Sequence, residues 1–512
     1  MNNKSLDTLR NYVEFNAKEN PKLNFISCPH TNKSISNEKL KKNLDKINFY
    51  LVNKNKQKKN SIICTLIENS LSSIQLMMGI MYSGMIQVPL NLVAGEEQLS
   101  YIVKHSGSKI IFSSSKNIDL AKKIIQKVSN EIMLIEIDKD NFIDEIDDNF
   151  EILEDVTEYK DNALLMYTSG TTGKPKGAML SHENIIQGGK NVMISHELQS
   201  KDRALCVLPL YHINGLIVTV MGPLVSNSSL VLCEKFSATN FWNYISKFSC
   251  SWFSVVPTII SSLLNKYSND EFNSLDLSSI RFGRSASAAL APEIHKNIEK
   301  KFKVKMIETM GLTESCAPIL SNPLPPKKIK HGSPGIPYGN KVMILDNAFK
   351  EVPRNTIGQI CVSGKNVMKE YYKNPEETKK SFYKNWFLTG DLGLMDEENF
   401  VFVRGRIKEL IIKGGENISP REIDDVLYEH PSILEAAAFG TKCDHYGEKI
   451  EAGVVLKNNS DSTEEDLINH CHNLLGKFKS PDKIYFFSEL PKGSSGKIQR
   501  LKIKDKIEVK KN

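Results

Sequence analysis

Short apolar segments that suit β-strands alternate with longer helix-like segments along most of the first 345 residues. The strand-like segment 109–113, for example, is followed by a helical pattern from about Asp119 to Val128. A strand, a helix and a further strand in succession favour βαβ units, in which the strands pair in parallel and helices cover the sheet. The alternation therefore predicts an α/β fold built from layered, mostly parallel sheets.

One stretch within this part needs a separate interpretation, because residues 70–95 carry no formal charge. An uncharged segment of this length can in principle cross a membrane. It contains several serines and glutamines as well as Pro89, however, and it divides into a helical piece and a strand-like piece. We therefore predict a buried helix from Leu71 to Tyr82 followed by a short strand, and no transmembrane segment.

The pattern changes near residue 400, where a compact α+β pattern begins. A helix is predicted to start at Pro420, a position at which proline is well tolerated. Ser462 and Glu465 have the spacing of a capping box that opens a further helix. These signals predict a large N-terminal domain over residues 1–405 and a small C-terminal domain over residues 406–512.

Composition excludes several classes of protein. The 512 residues are 40% hydrophobic and 25% charged, which is typical of globular proteins rather than disordered ones. The net charge is +7, yet only nine of the 67 basic residues are arginine, the usual reader of bases and phosphates in nucleic acids. We therefore expect a lysine-rich solvated surface and no nucleic-acid partner.

The nine cysteines are dispersed and form no Cys-X-X-Cys pair, which argues against a disulfide framework or a zinc ribbon. The first residues lack the apolar core of a signal peptide. A cytoplasmic location is the resulting expectation.

A glycine- and threonine-rich loop follows the strand-like segment that ends near Tyr167. It reads Thr168-Ser169-Gly170-Thr171-Thr172-Gly173-Lys174-Pro175-Lys176-Gly177. Glycines permit a close approach of the backbone to a ligand, while hydroxyls, backbone N–H groups and lysines suit phosphate oxygens. The loop is not a Walker A motif, because Lys174 is followed by proline. Composition alone fits a phosphate-binding loop and a flexible surface loop about equally.

The full string resembles the signature of the adenylate-forming superfamily, which includes acyl-CoA synthetases, adenylation domains of peptide synthetases and beetle luciferases. Four further segments, in the family's order, strengthen the resemblance over nearly the whole chain. They are Met310-Gly311-Leu312-Thr313-Glu314, Trp386-Phe387-Leu388-Thr389-Gly390-Asp391, Gly405-Arg406-Ile407-Lys408-Glu409-Leu410-Ile411, and Pro491-Lys492-Gly493-Ser494-Ser495-Gly496-Lys497.

The resemblance implies a fold of layered βαβ-type sheets with a distorted barrel and a small, mobile α+β C-terminal domain. It also implies a two-step reaction, in which a carboxylate attacks the α-phosphate of ATP to give acyl-AMP and pyrophosphate, and a thiol then displaces AMP. Lys497 would bridge the reacting carboxylate and phosphate, Thr313 would contact phosphate, and Glu314 would hold Mg²⁺. Asp391 would accept from both ribose hydroxyls, with the help of Arg406.

Adenine is expected between two short segments in the second half of the N-terminal domain. Met310 stands where many relatives have an aromatic residue, and Ala289 stands where many have proline. The nucleotide site predicted by the resemblance comprises Thr168, Ser169, Gly170, Thr171, Thr172, Lys176, Ser287, Ala288, Ala289, Glu308, Thr309, Met310, Gly311, Asp391 and Arg406.

In the family, the small domain rotates between the two half-reactions about the position that Lys408 occupies. The rotation withdraws Lys497 and brings another face to the thiol channel. Gly414, Gly415 and Asn417 would lie on that face, where glycines leave room for the pantetheine arm of coenzyme A.

The acid pocket is predicted from the segment 209–216 and from residues near 284. His212 is expected to gate or hydrogen-bond the reacting carboxylate, and Asn214, Arg284 and Ser285 to line the pocket. Arg284 could pair with a second carboxylate or form a structural salt bridge. Three stretches (235–242, 284–288 and 320–325) most resemble oxalate–CoA ligases, although Asn214 stands where those ligases usually have a second histidine.

The resulting hypothesis is an ATP-dependent acid–CoA ligase for a small or polar carboxylate, with ATP, Mg²⁺ and coenzyme A as cofactors and a possible homo-oligomeric state. Two alternatives keep the adenylation chemistry: an enzyme that loads the phosphopantetheine of a separate carrier protein, and a ligase for medium- or long-chain fatty acids. A non-catalytic binding protein with the same fold is a third hypothesis.

Overall fold

The computed structural model describes residues 6–168, 174–267, 275–457, 460–493 and 497–511. Its strands are β1 (Asn24–Cys28), β2 (Lys33–Ser36), β3 (Ile62–Leu66), β4 (Ile86–Pro89), β5 (Ile110–Ser114), β6 (Met133–Ile137), β7 (Asn162–Thr168), β8 (Lys176–Ser181), β9 (Arg203–Cys206), β10 (Ser229–Leu232), β11 (Trp252–Val255), β12 (Phe282–Ser285), β13 (Met306–Leu312), β14 (Ala317–Ser321), β15 (Ile336–Pro337), β16 (Lys341–Leu345), β17 (Gly358–Ser363), β18 (Glu370–Tyr371), β19 (Phe382–Tyr383), β20 (Trp386–Met395), β21 (Val401–Arg406), β22 (Ile411–Lys413), β23 (Glu416–Ile418), β24 (Ile433–Cys443), β25 (Gly447–Leu456) and β26 (Lys483–Phe486).

The α-helices of the same residues are α1 (Leu9–Glu19), α2 (Asn37–Phe49), α3 (Leu71–Tyr82), α4 (Glu96–Ser106), α5 (Ile118–Val128), α6 (Phe142–Glu145), α7 (His182–Ser195), α8 (Gly222–Val225), α9 (Phe241–Phe248), α10 (Pro257–Lys266), α11 (Pro292–Phe302), α12 (Pro375–Lys380), α13 (Pro420–Glu429), α14 (Glu464–Lys479) and α15 (Leu501–Lys511). Short π-helices cover Tyr50–Lys54 and Asn214–Met221, and 3₁₀ turns cover Ser115–Asn117, Thr313–Ser315 and Ile407–Glu409.

Two large sheets form the N-terminal part. The first has nine strands in the order β15-β14-β13-β12-β11-β9-β10-β1-β2, and the second has seven in the order β18-β8-β7-β4-β3-β5-β6. In the first sheet the strands from β13 to β1 pair in parallel, and in the second sheet those from β7 to β6 do so. The antiparallel strands are β2, β14 and β15 in the first sheet and β8 and β18 in the second. The predicted α/β fold with layered, mostly parallel sheets is therefore confirmed.

Helix α3 explains the uncharged stretch of the sequence. All twelve of its residues are buried, from Leu71 to Tyr82, and its N-terminus is capped by Ser70. A helix that packs against protein on every side needs no polar face, so its composition follows from its place in the core. In the part of the chain that the structure describes, no helix is both long and apolar enough to cross a membrane.

A third sheet, in the region expected to form the distorted barrel, has the antiparallel order β16-β17-β20-β19, with β21 paired to β20. Its long strand β20 buries every second residue, as a strand with one face on the core does. Strand β21 continues through Arg406, the first residue of the predicted C-terminal domain.

The C-terminal part has its own five-stranded sheet, in the order β23-β22-β25-β24 with β26 paired to β25. The 3₁₀ turn that contains Lys408 joins the last N-terminal strand to this sheet. The predicted capping box is wrong by one residue: Thr463 and Asp466 form it, while the Ser462 hydroxyl donates instead to Ser432.

Candidate active site

A cavity of about 700 Å³ opens where the parallel strands of both large sheets end. Its walls include Pro89 at the end of β4, Thr168 at the end of β7 and Leu312 at the end of β13. Carboxyl ends of parallel strands are where α/β folds place ligands, because the following loops converge there. The cavity also reaches Lys408 and Lys497, so both parts of the chain contribute to it.

The turn Thr313–Ser315 carries a carboxylate into this cavity. Thr313 and Glu314 both line it, and the carboxylate Oε1 of Glu314 accepts a hydrogen bond of 2.7 Å from the Tyr371 hydroxyl. Burial, and then the charge of Glu314, raises the pKa of Tyr371, which keeps this hydroxyl a donor. One oxygen of Glu314 is thus fixed while the other is not engaged by this bond, an arrangement that suits a hard cation such as Mg²⁺.

An ion pair between strands β20 and β21 lies close to the linker that joins the two parts of the chain. Asp391 on β20 stands directly opposite Arg406 on β21, and Arg406 Nε lies 3.0 Å from Asp391 Oδ1. Burial raises the pKa of the Asp391 carboxyl despite the opposing charges of Arg406 and Lys497. The charge of Asp391 in turn raises the pKa of Arg406, which keeps the guanidinium protonated.

Lys497 lines the same cavity from the C-terminal part. A backbone hydrogen bond from the Gly493 N–H to the Lys497 carbonyl, 2.7 Å long, holds it in a turn. The side chain keeps contact with solvent, yet the surrounding protein atoms, and then the charge of Arg406, lower the pKa of its ammonium group. The arrangement places a cation beside the carboxylates of the cleft without tying it to one of them.

A smaller cavity of about 100 Å³ adjoins the ion pair, with Ser287, Ala288, Ala289, Glu308, Thr309, Met310, Gly311, Asp391 and Arg406 among its lining residues. Glu308 is buried, and its Oε1 accepts from the Leu290 N–H at 3.1 Å. Within the described part of the chain, its Oε2 and the hydroxyl of Thr309 have no hydrogen-bond partner. Orphaned buried polar atoms are costly, so these two groups are suited to receive a polar ligand.

The glycine-rich loop lies mostly outside the described residues, which is where Ser169, Gly170, Thr171 and Thr172 fall. Its two ends, Thr168 and Lys176, do line the larger cavity. The Lys176 ammonium forms an ion pair with Glu377 and lies 5.3 Å from the centre of the Tyr371 ring.

Arg284 lies behind the wall of the cavity and is 2% exposed. Its guanidinium donates to Asn214 Oδ1 and to Ser254 Oγ, both at 2.7 Å. Among the described residues it has no carboxylate partner, so the predicted structural salt bridge is absent. Burial lowers the pKa of Arg284 to about 9, which still leaves the group a cation at neutral pH.

Asn214 connects this buried charge to the cavity. Its amide oxygen accepts from Arg284 and, at 2.9 Å, from the Ser254 hydroxyl. The amide nitrogen therefore points the other way, where it donates to Ser287 Oγ at 3.2 Å, and both residues line the cavity. At this edge of the cavity an amide donor therefore has a buried positive charge behind it.

The other predicted pocket residues divide into two groups. His212 lines the cavity, whereas Ser285 is fully buried beside Arg284 and lines neither cavity. The three residues expected at the coenzyme A channel are also outside both cavities. Gly414 and Gly415 adopt left-handed conformations, with φ of +59° and +82°, in the turn between β22 and β23. Asn417 follows on β23.

Several cavity residues were not singled out from the sequence, and among them are Tyr371, Glu377 and Arg421. Tyr371 follows Glu314 by 57 positions and meets it only because β18 pairs with β8. Arg421 reaches across from α13 to the Val403 carbonyl at 2.8 Å. No local pattern marks these residues, since each acts through a contact that the tertiary fold creates.

Family models match both parts of the chain. The model described as AMP-binding enzyme matches residues 13–372, and the model described as AMP-binding enzyme C-terminal domain matches residues 422–497. The chain belongs to the AMP-binding enzyme family. The resemblance drawn from the sequence motifs is confirmed.

Curated relatives are acid–CoA ligases. The chain is 40% identical over 445 residues to a sulfoacetate–CoA ligase of Cupriavidus necator, with 86% of each chain covered. It is 32% identical over 509 residues to an oxalate–CoA ligase of Arabidopsis thaliana, with 96% of this chain and 97% of the relative covered. Among solved structures, ATP-bound MatB from Rhodopseudomonas palustris superimposes with a TM-score of 0.86 at 27% identity, covering 96% of this chain and 98% of that one.

This protein is therefore an AMP-forming acid–CoA ligase that uses ATP and coenzyme A. The chemistry of such an enzyme is acyl-AMP formation with release of pyrophosphate, followed by transfer of the acyl group to the thiol.

Proposed function

We propose that this ligase activates a short carboxylic acid that carries a second anionic group. The observation that carries the proposal is the buried guanidinium of Arg284, which has hydrogen bonds but no counter-ion among the described residues. A buried charge is costly unless an opposite charge approaches it. The amide of Asn214 lies between this cation and the cavity, so an acid whose far end is anionic gains both a hydrogen bond and charge neutralisation.

The named substrates of two relatives have this chemistry. Oxalate carries two carboxylates, and sulfoacetate carries a carboxylate and a sulfonate. A fatty acid would place an alkyl chain against the Asn214 amide and would leave Arg284 uncompensated, so the fatty-acid alternative is disfavoured.

For the first half-reaction, we assign the roles to the residues that meet in the cleft. A carboxylate oxygen of the acid attacks the α-phosphorus of ATP while the bond to pyrophosphate breaks. Lys497 neutralises charge on both reactants, and Thr313 contacts phosphate together with Thr168 and Lys176. His212 stands at the acid side of the cavity, where it orients the attacking carboxylate.

The remaining groups hold the nucleotide. Asp391 accepts from the ribose hydroxyls with Arg406 beside it, and the orphaned oxygens of Glu308 and Thr309 receive adenine polar groups. Glu314 would hold Mg²⁺, which supplies positive charge to the departing phosphates; its carboxylate fits such an ion because Tyr371 fixes only one of its oxygens.

For the second half-reaction, the thiol sulfur attacks the acyl carbon and AMP leaves. We propose that the C-terminal domain, residues 406–512, rotates about Lys408 between the two steps. The rotation would remove Lys497 and bring the turn of Gly414 and Gly415, with Asn417, to the thiol. In support, that turn lies outside both cavities while Lys497 lies inside them.

A screen of pyrophosphate release tests the substrate class. Oxalate, malonate and sulfoacetate should give the highest kcat/KM, whereas acetate, hexanoate and palmitate should be poor substrates. Detection of the CoA thioester in the same reactions, with a phosphopantetheinylated carrier protein as competing acceptor, separates coenzyme A from the carrier alternative.

Arg284→Met should then lower kcat/KM for the best dianionic acid by at least ~30-fold, because removing one partner of a buried charge pair costs about 2 kcal/mol or more. Arg281→Met is the matched control, since the Arg281 guanidinium pairs with Asp202 away from the cavity. A preference for palmitate that survives Arg284→Met would contradict the proposed substrate class.

A further inference from the structure

Two histidines and a glutamate meet in the N-terminal domain, and none of the three lines either cavity of the candidate active site. His295 and Glu299 lie on α11, four positions apart, which places both side chains on one face of the helix. His331 approaches from the segment that leads to β15, and its ring centre is 4.3 Å from that of His295. One ligand atom from each residue lies within 4.8 Å of the other two.

The two helical residues are held by the same backbone unit. The N–H of Met306 donates to Glu299 Oε1 at 2.9 Å, and the carbonyl of Met306 accepts from His295 Nε2 at 3.0 Å. Met306 begins β13, so the helix face is fixed against the sheet. Metal-binding histidines commonly donate their second ring nitrogen to a backbone carbonyl in this manner, which fixes the tautomer and the ring orientation.

The tautomer of His295 follows from that contact. A carbonyl can only accept, so Nε2 carries the hydrogen and Nδ1 presents a lone pair. His295 is fully buried, and Nδ1 has no hydrogen-bond partner among the residues that the structure describes. A buried acceptor without a donor is costly, and a metal cation is a partner that its lone pair can take.

The spacing of the other two ligands suits a tetrahedral ion. His331 Nε2 lies 3.4 Å from Glu299 Oε2. Bonds of about 2.0–2.1 Å to nitrogen and oxygen in a tetrahedron separate neighbouring ligands by roughly 3.3 Å. Glu299 and His331 are partly exposed, so a water molecule can reach the fourth position.

We propose that His295, Glu299 and His331 form a binding site for a divalent transition-metal ion of the Zn²⁺ class, separate from the nucleotide cleft. Two imidazoles and a carboxylate select such an ion over Mg²⁺, which prefers oxygen ligands. None of the three residues lines the cavity of about 700 Å³ in which the reaction is placed.

Titration of the full-length, metal-free protein with Zn²⁺ in excess Mg²⁺ tests the site. The wild type should bind one equivalent of Zn²⁺. The His331→Ala variant should bind Zn²⁺ at least ~10-fold more weakly, because removing even an outer partner of a metal ligand costs about this much affinity. The visible spectrum with Co²⁺ should show tetrahedral absorption without a thiolate charge-transfer band, which excludes binding by cysteine.

Glu299→Gln is a second variant that should still fold, because the amide oxygen of glutamine can accept the hydrogen bond from the Met306 N–H. Zn²⁺ should raise the Tm of the wild type and should raise that of this variant much less. His430→Ala is the matched control, since His430 also stacks edge to face on another histidine, His470, with ring centres 5.1 Å apart. Equal affinity and stoichiometry in all four proteins would overturn the proposal, as would a Co²⁺ spectrum with thiolate absorption.

Discussion

Glu308 shows how one residue can couple the nucleotide site to stability. Burial raises the pKa of its carboxyl to about 7, because one oxygen is unpartnered and Arg421 only partly offsets the desolvation. The folded state therefore keeps its proton between about pH 4.5 and 7, where the unfolded chain has lost it. The folded state binds more protons in this window, so the free energy of unfolding falls as pH rises through it.

Glu308→Gln should remove this pH dependence, because the amide cannot ionise. The wild type is expected to lose about 3 kcal/mol between pH 4.5 and 7 from this group, the equivalent of its pKa displacement, and the variant should lose correspondingly less. Urea unfolding at several pH values measures the difference. Glu293→Gln serves as the control, because Glu293 on α11 is only partly buried. Identical pH profiles for wild type and Glu308→Gln would refute the assignment.

At the residue scale, motif resemblance places the ion pair of Asp391 and Arg406 and the two lysines of the cleft, because these residues lie within recognisable strings. It does not place Tyr371 on Glu314, or Ser254 between Arg284 and Asn214. Those hydrogen bonds join residues far apart in the chain, and their geometry depends on which strands are neighbours.

At the scale of elements, helix α7 packs closely against the turn that carries Thr313 and Glu314. Gly188 on this helix faces Cys316, and a Cβ atom there would collide with the carbonyl oxygen of Cys316. Cys316 directly follows the turn of Thr313 and Glu314 and has a left-handed φ of +46°. The close approach of helix and turn thus requires glycine.

Gly188→Ala should destabilise the protein by about 1–3 kcal/mol through overpacking, and should also slow pyrophosphate release by displacing Glu314. Thermal unfolding and the pyrophosphate assay measure the two effects. Gly95→Ala is the control, because no atom lies within 4 Å of a Cβ added there. Full activity of a destabilised Gly188→Ala would show that the helix does not position the turn.

Elements were predicted best where a single local signal decides them. Helix α3 has the predicted bounds, because an uncharged segment has no charged side chains that require contact with solvent and is buried along its whole length. The start of α14 was misplaced because the sequence offers two overlapping capping boxes, Ser462 with Glu465 and Thr463 with Asp466. Tertiary structure decides between them, since Ser462 is engaged by Ser432.

At the scale of the whole molecule, the two parts of the chain share one cleft. Lys497 reaches the cavity from the C-terminal part, and Arg421 of the same part donates to the Val403 carbonyl of the N-terminal part. The sequence spacing of the motifs predicts which residues take part but not which face of the small domain points inward. That choice depends on the conformation of the linker at Lys408, which no local sequence pattern specifies.

If the domain rotates about this linker, two substitutions should block opposite half-reactions. Lys497→Ala should slow acyl-AMP formation by at least ~100-fold, the effect of removing one preorganised charge, and should spare thioester formation from supplied acyl-AMP. Lys408→Pro should do the reverse, because proline fixes φ near −65° and removes the freedom that rotation requires. Single-turnover assays with ATP and acid, or with acyl-AMP and coenzyme A, measure the two steps separately.

Matched controls separate these effects from general damage. Lys492→Ala lies in the same segment as Lys497, but the Lys492 ammonium pairs with Glu435, 2.7 Å away, and so should leave both steps intact. Lys408→Ala removes the same charge as Lys408→Pro while keeping the backbone free, and should retain thioester formation. If each variant slowed both half-reactions equally, one fixed arrangement of the two domains would serve both steps. A rotating domain predicts instead that each variant slows only one step.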